Sequence, residues 1–271
     1  MSVFTVKRVV LDDYLDVFME QWEYEYSQPR AYDCARKAFR DYLDNETPCN
    51  EELAAVHLYA YLACWGMCHH QAGSIRWKNY RILIPIVKKL REFADKKDNK
   101  FLIDYNPYEN GGVPAHLDMK NYVEKVLEIV EALKKKFKDL SDDVKVVWDT
   151  LEPRRIFEKN DNGKVVAYMP LQYGKINDTD TLIGKILLVT LGCTVAYDSH
   201  VCKALKELGV KRGFSKSALE DFYDKVIIGG VGDMRALVAH YTAKYTKGQY
   251  PDYPVMKLLD AALWVYGATL S

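Results

Sequence analysis

The residues with the most chemistry to offer lie in one short run, Tyr197-Asp198-Ser199-His200-Val201, between two segments of helical pattern. Asp198 opens the second of these helices, where free backbone amides and the helix dipole attract a negative side chain. A carboxylate at that place has two uses. It can cap its own helix, a role for which aspartate is among the favoured residues. It can also face a reacting centre that gains positive charge, or activate a water molecule. The residues alone leave both uses open. His200 beside it raises the idea of a nucleophile triad, but the chain carries no G-x-S-x-G elbow to support one.

A second cluster, Tyr61, Cys64, Trp65, Met67, Cys68, His69 and His70, closes an apolar segment. Cys64 and Cys68 share a helical face, yet no second C-x-x-C or H-x-x-x-H unit completes the four ligands of a structural zinc site. No metal and no cofactor is therefore expected. Lys134 to Lys138 and Lys88 to Arg91 sit among acidic neighbours and read as solvated helix faces. The sequence G-G-V-G-D at Gly229 to Asp233 follows a helical segment rather than a strand, so it reads as a turn and not as a phosphate cradle.

The elements that must position these groups are helical almost throughout. Apolar residues recur at helical spacing after Asp12, across Arg30 to Leu43, Glu51 to His70 and Arg81 to Ala94, and along Ala115 to Leu140. Gly66 is expected to weaken the last turn of the third segment or to admit a neighbouring helix. Asp104 to Pro114, rich in Asn, Pro and Gly, reads as a loop. The helical period breaks from Glu152 to Asp180, with a turn at Lys159 to Gly163 and an extended stretch at Val165 to Leu171. Shorter helices are expected at Thr181 to Leu191, Ser199 to Leu208, Ser215 to Ile228, Asp233 to Lys247 and Pro254 to Ala268. In the last of these Met256, Leu259, Leu263 and Tyr266 share a face, so the C-terminal segment should dock on the core. The expectation is an all-α fold of two packed helical lobes, residues 1–150 and 151–271, joined by the short extended connector and compatible with one compact domain.

The stretch from Asp180 to Gly209 consists of an apolar helix, a connection containing Gly192, an aspartate, and a helix ending in Leu208-Gly209. It resembles the catalytic segment of the helix-hairpin-helix DNA glycosylases, in which a V-D-[ST]-H-V-x-R-like motif runs into a Leu-Gly turn. The matching residues are Tyr197, Asp198, Ser199, His200, Val201, Lys203, Leu208 and Gly209. The resemblance implies that Asp198 is the catalytic carboxylate, because cutting a base from its sugar builds positive charge on the sugar ring. It also implies DNA as partner and a pocket for an everted base, for which Tyr61, Trp65, His69 and Tyr197 supply rings and polar edges. The same aromatic spacing also suits plain core packing. Thr181, Lys185, His200, Lys203, Lys206, Lys211 and Arg212 are the residues expected at the DNA.

Two departures from the family pattern shape the expectation. Where the Gly-rich hairpin belongs, the chain reads N-D-T-D-T at Asn177 to Thr181, so the usual backbone cradle for a DNA phosphate is altered or lost. The ungapped position of the nucleophilic lysine of bifunctional members is Thr181. Lys185 lies one helical turn later and is not given that role. Water is then the expected attacker, with no strand-nicking step. The alternative is a noncatalytic helical module that binds DNA or protein on the same scaffold.

Composition restrains these readings. The 271 residues carry 38 basic and 38 acidic side chains, so attraction to DNA must come from a local patch. Six cysteines follow no disulfide framework, Met1 to Val10 is too short and charged for a secretory signal, and no window is apolar enough to span a membrane. Cytoplasmic residence is the expectation. A role in repair or in defence against modified foreign DNA fits the reaction that the resemblance implies.

Overall fold

The computed structural model describes residues 10–23, 28–68, 79–108, 116–150, 155–159, 165–170, 178–229, 234–245 and 251–270. The fold is all-α. Its elements in chain order are α1 (Asp12–Trp22), α2 (Gln28–Asp44), α3 (Pro48–Cys64), α4 (Ile84–Ala94), α5 (His116–Thr150), β1 (Arg155–Lys159), β2 (Val165–Pro170), α6 (Asp180–Thr190), α7 (Ser199–Glu207), α8 (Lys216–Phe222), α9 (Met234–Tyr245) and α10 (Val255–Thr269). Short 3-10 turns precede and follow α4, and a π-helical turn, Tyr223–Ile228, extends α8. Among the described residues no helix is long and apolar enough to cross a membrane.

Local chemistry sets the helix starts. Thr47 accepts the Asn50 amide at 3.1 Å ahead of α3, Thr179 accepts the Leu182 amide at 3.2 Å ahead of α6, and Ser215 accepts the Ala218 amide at 3.2 Å ahead of α8. The third helix stops at Cys64, short of the expected His70. Gly66 takes φ +73°, and the Met67 and Gly66 amides turn back to the Leu62 and Ala63 carbonyls, closing the helix in a Schellman turn. Trp65 becomes the cap residue instead of one more step along the face. In the other direction, α5 runs to Thr150, beyond the expected Leu140. The extended segment near Val165 pairs antiparallel with Arg155–Lys159, a partner strand that has no clear alternation in the sequence.

Buried residues from both halves of the chain form one contiguous core. Helix α6 runs through it, packed against α2, α3 and α5, and every residue from Leu182 to Thr190 is buried. Helix α10 packs against α1, α7 and α9, so the first and last helices meet. Tyrosine hydroxyls cross-link these layers: Tyr32 donates to the Leu188 carbonyl at 3.3 Å, and Tyr122 donates to the Cys193 carbonyl at 3.0 Å. A hydroxyl buried with its bond made fixes the register of two helices that apolar contact alone would let slide.

A polar cluster ties α9 to α1. Asp16 accepts from Lys244 Nζ at 2.7 Å and Tyr245 Oη at 2.5 Å, and His240 Nε2 lies 2.8 Å from its Oδ1. Burial pushes the Asp16 pKa up, but the bonds from Lys244, Tyr245 and His240 outweigh it and hold the carboxyl below its ordinary value. A group with a lowered folded pKa contributes stability above its unfolded pKa and loses it as pH falls through the folded one. Asp16→Asn is therefore expected to destabilise the protein by about 1 kcal/mol at pH 7. The gap in urea midpoint between variant and wild type should close as pH drops below about 4. An unchanged gap at pH 2 would show that the charge of Asp16 does not supply the stabilisation.

Candidate functional site

The loop after α6 crosses the top of that helix and enters α7 at Asp198. Close packing makes this crossing possible. A Cβ at Gly184 would sit 3.1 Å from Ala196 Cα and Tyr197 N, so the missing side chain lets α6 lie against the loop backbone. The Thr181 hydroxyl donates to the Tyr197 carbonyl at 2.7 Å and pins the loop one residue before the aspartate.

Asp198 is the N-cap of α7, with extended backbone (φ −81°, ψ 178°). Its Oδ1 accepts the His200 amide at 3.1 Å and the Val201 amide at 3.0 Å. Its Oδ2 lies 3.1 Å from Lys185 Nζ, with side-chain exposures of 3% for Lys185 and 13% for Asp198. The carboxylate thus caps its helix with one oxygen and meets a buried ammonium with the other. Its remaining exposure is narrow, and the next residue, Ser199, is exposed.

Lys185 corrects an expectation. It does not stand on the surface among phosphates, because α6 is buried on every side where it projects and its ammonium is spent inward. The Nζ also sits 3.7 Å from the centre of the Trp65 ring, a cation–π contact in a poorly hydrated place. Thr181 likewise uses its hydroxyl inside the fold. Lys203, Lys206, Lys211 and Arg212 are exposed on α7 and the turn after it, and Gly209 at φ +68° ends that helix. His200 is partly buried.

Of the residues expected around a base, Tyr61 and Tyr197 are buried, with 1% and 3% exposure, while Trp65 is partly exposed. Tyr61 and Trp65 meet edge to face with ring centres 6.4 Å apart, and burial together with the nearby carboxylates Asp260 and Asp198 pushes the Tyr61 hydroxyl pKa well up. Tyr197 packs against Phe214 instead, centres 4.9 Å apart. The structure therefore brings Tyr61 and Trp65 beside Lys185 and Asp198, with Tyr197 turned into the core. His69 lies outside the described residues, as do residues 230–233 of the glycine-rich turn. Two surface depressions, one bordered by Tyr105 and Asp118 and the other by Lys88 and Lys135, are not lined by Asp198.

A second charged pair lies behind the first and was not anticipated. Lys257 and Asp260, one turn apart on α10, are buried with Nζ and Oδ2 3.6 Å apart. Asp260 Oδ1 accepts the Ala196 amide at 2.8 Å, which reaches the same loop two residues before Asp198. Lys257 Nζ is 4.6 Å from the Phe18 ring centre and 4.7 Å from that of Tyr32. Burial lowers the Lys257 pKa and raises that of Asp260, each opposed by the other's charge. The sequence does carry a signal for them: two opposite charges three residues apart inside a helix otherwise apolar on all sides.

Two stability measurements follow from this packing. Helix α10 touches α7 so closely that a methyl group at Gly267 would overlap the His200 carbonyl oxygen. Gly267→Ala is expected to cost about 1–3 kcal/mol in chemical denaturation, as overpacking does, and a neutral result would show that the α7–α10 contact gives way easily. Asp198→Ala removes the cap and leaves the Lys185 ammonium buried without its partner, an expected loss of about 3–5 kcal/mol. Asp198→Asn keeps a capping oxygen and should lose clearly less; equal losses for the two would make the cap irrelevant.

Comparison with known families, curated proteins and solved structures yields no match.

Proposed function

We propose that the protein is a monofunctional DNA glycosylase-like hydrolase that everts a damaged or modified base and releases it with Asp198 as the catalytic carboxylate. The observation that carries the proposal is the Asp198 carboxylate itself: fixed by two α7 amides and Lys185, partly exposed, and set at the start of a helix that presents Lys203 and Lys206 outward. Such a group needs no reorganisation as positive charge builds on a sugar ring beside it.

In the proposed reaction the C1′–N bond breaks and its electron pair leaves on the base nitrogen. Water adds to C1′, and its proton ends on the released base. Asp198 stabilises the cationic sugar and orients the water. Lys185 has no covalent part in this scheme, since its ammonium is enclosed between Asp198 and Trp65. Exposed Lys203, Lys206, Lys211 and Arg212 would hold phosphates on either side of the target nucleotide. A place in repair or in defence against modified foreign DNA suits this chemistry.

A second reading draws on the same geometry. Both carboxylate oxygens already have partners within the protein, as a purely structural cap would, and the chain would then be a helical module that binds DNA or protein without cutting. Base release from duplexes bearing deaminated, oxidised, alkylated or virally modified bases separates the two. The wild-type protein is expected to release at least one of these bases, and Asp198→Asn to lose release by at least a hundredfold with DNA affinity within about threefold. No base released by wild type would favour the binding module, and full activity in Asp198→Asn would remove Asp198 from the catalytic role. An adduct trapped by borohydride and lost in Lys185→Met would instead give Lys185 a covalent role.

A further inference from the structure

Beside Asp198 an unbroken chain of rings runs from α3 across α10 to α7. Trp65 and Trp264 meet edge to face with centres 5.8 Å apart, and Trp264 and His200 do so at 5.3 Å. All three rings belong to partly exposed residues, unlike the sealed Tyr61 behind them. Two of their polar atoms stand out. Trp65 Nε1 and His200 Nδ1 are each buried and have no hydrogen-bond partner among the described residues.

A buried donor without a partner loses its hydration with nothing in return, and proteins carry few of them unless a ligand or function accounts for the loss. An indole N–H can only donate, so whatever completes Trp65 must bring an acceptor. It must also be flat, because the surroundings are ring faces and edges, and it must tolerate the Lys185 ammonium 3.7 Å from the Trp65 ring centre. An electron-rich carbonyl edge satisfies these demands together.

Building on the glycosylase reading above, we infer that the corner formed by Trp65, Trp264 and His200 is where the everted base is read, and that it takes bases presenting a carbonyl oxygen to the Trp65 N–H. Trp264 and His200 supply the stacking surface, and Asp198 lies on the sugar side. The substrate class is then a nucleobase with an oxo edge, of the hypoxanthine, uracil or oxidised-purine kind.

The test uses the full chain labelled with 15N at tryptophan and hypoxanthine as the probe, a free base that needs no catalysis. Trp65→Phe and Trp264→Phe, each confirmed as folded by its thermal transition, assign the two indole signals. Titration is expected to move the Trp65 and Trp264 signals, with Trp65 shifting in the direction of a new hydrogen bond. Trp65→Phe, which keeps a ring and loses only the N–H donor and some area, should weaken hypoxanthine about tenfold, while benzimidazole, a bicyclic ring without a carbonyl, should lose no more than twofold. Signals that stay still to the solubility limit of hypoxanthine, shifts confined to other tryptophans, or equal affinity in Trp65→Phe would each overturn the inference. The underlying activity is separable from it. Binding at this corner by a protein that releases no base removes the glycosylase reading alone, whereas release of a base unaffected in Trp65→Phe removes this inference alone.

Discussion

Placing two opposite charges inside an apolar helical core is tolerable only when both are paired and their remaining hydrogen-bonding capacity is met. The Lys185–Asp198 contact satisfies that condition through a division of labour. One carboxylate oxygen serves the amides at the start of α7, the other serves the ammonium, and the ammonium rests against the Trp65 ring. Each partner is thereby committed to a position. The arrangement fixes α6, α7 and the end of α3 relative to one another more narrowly than apolar contact could, since apolar packing is nondirectional.

The second pair extends the same logic to α10. Asp260 reaches the Ala196 amide and Lys257 reaches Asp260, so the loop before Asp198 is gripped from both sides, by Thr181 of α6 and by Asp260 of α10. Replacing buried ion pairs by well-packed apolar residues is often neutral or stabilising. Two such pairs beside one loop are therefore poorly explained by stability alone, and buried ionisable groups perturbed as Lys257 and Asp260 are do concentrate at functional sites. That concentration is a physical reason for looking to this end of the molecule for chemistry, independent of any sequence resemblance.

The site was legible in part. Asp198 was identifiable because an aspartate before a helical period, followed by a Leu-Gly stop, is a local pattern, and local patterns survive in sequence. Lys185 was visible but was placed at the surface, since lysines are almost always exposed; the overlooked sign was its lone charge in the otherwise apolar run from Leu182 to Val189. Lys257, Asp260 and Trp264 were passed over for a similar reason. On α10 the spacing of Met256, Leu259, Leu263 and Tyr266 marks one apolar face, whereas packing against α1, α7 and α9 covers nearly the whole circumference from Val255 to Gly267.

What the sequence by itself determined is the all-helical class, the positions of most helices, the break near residue 155 and the capping aspartate. Each depends on periodicity, caps and glycine, which act within a few residues. Tertiary structure alone decided that α3 ends with Trp65 turned toward α6, that Lys185 meets Asp198 thirteen positions along the chain, and that α10 brings Asp260 and Trp264 to the same place. These are meetings between side chains on different elements, and they depend on how helices cross and how closely glycines let them approach. No spacing within one helix encodes that distance.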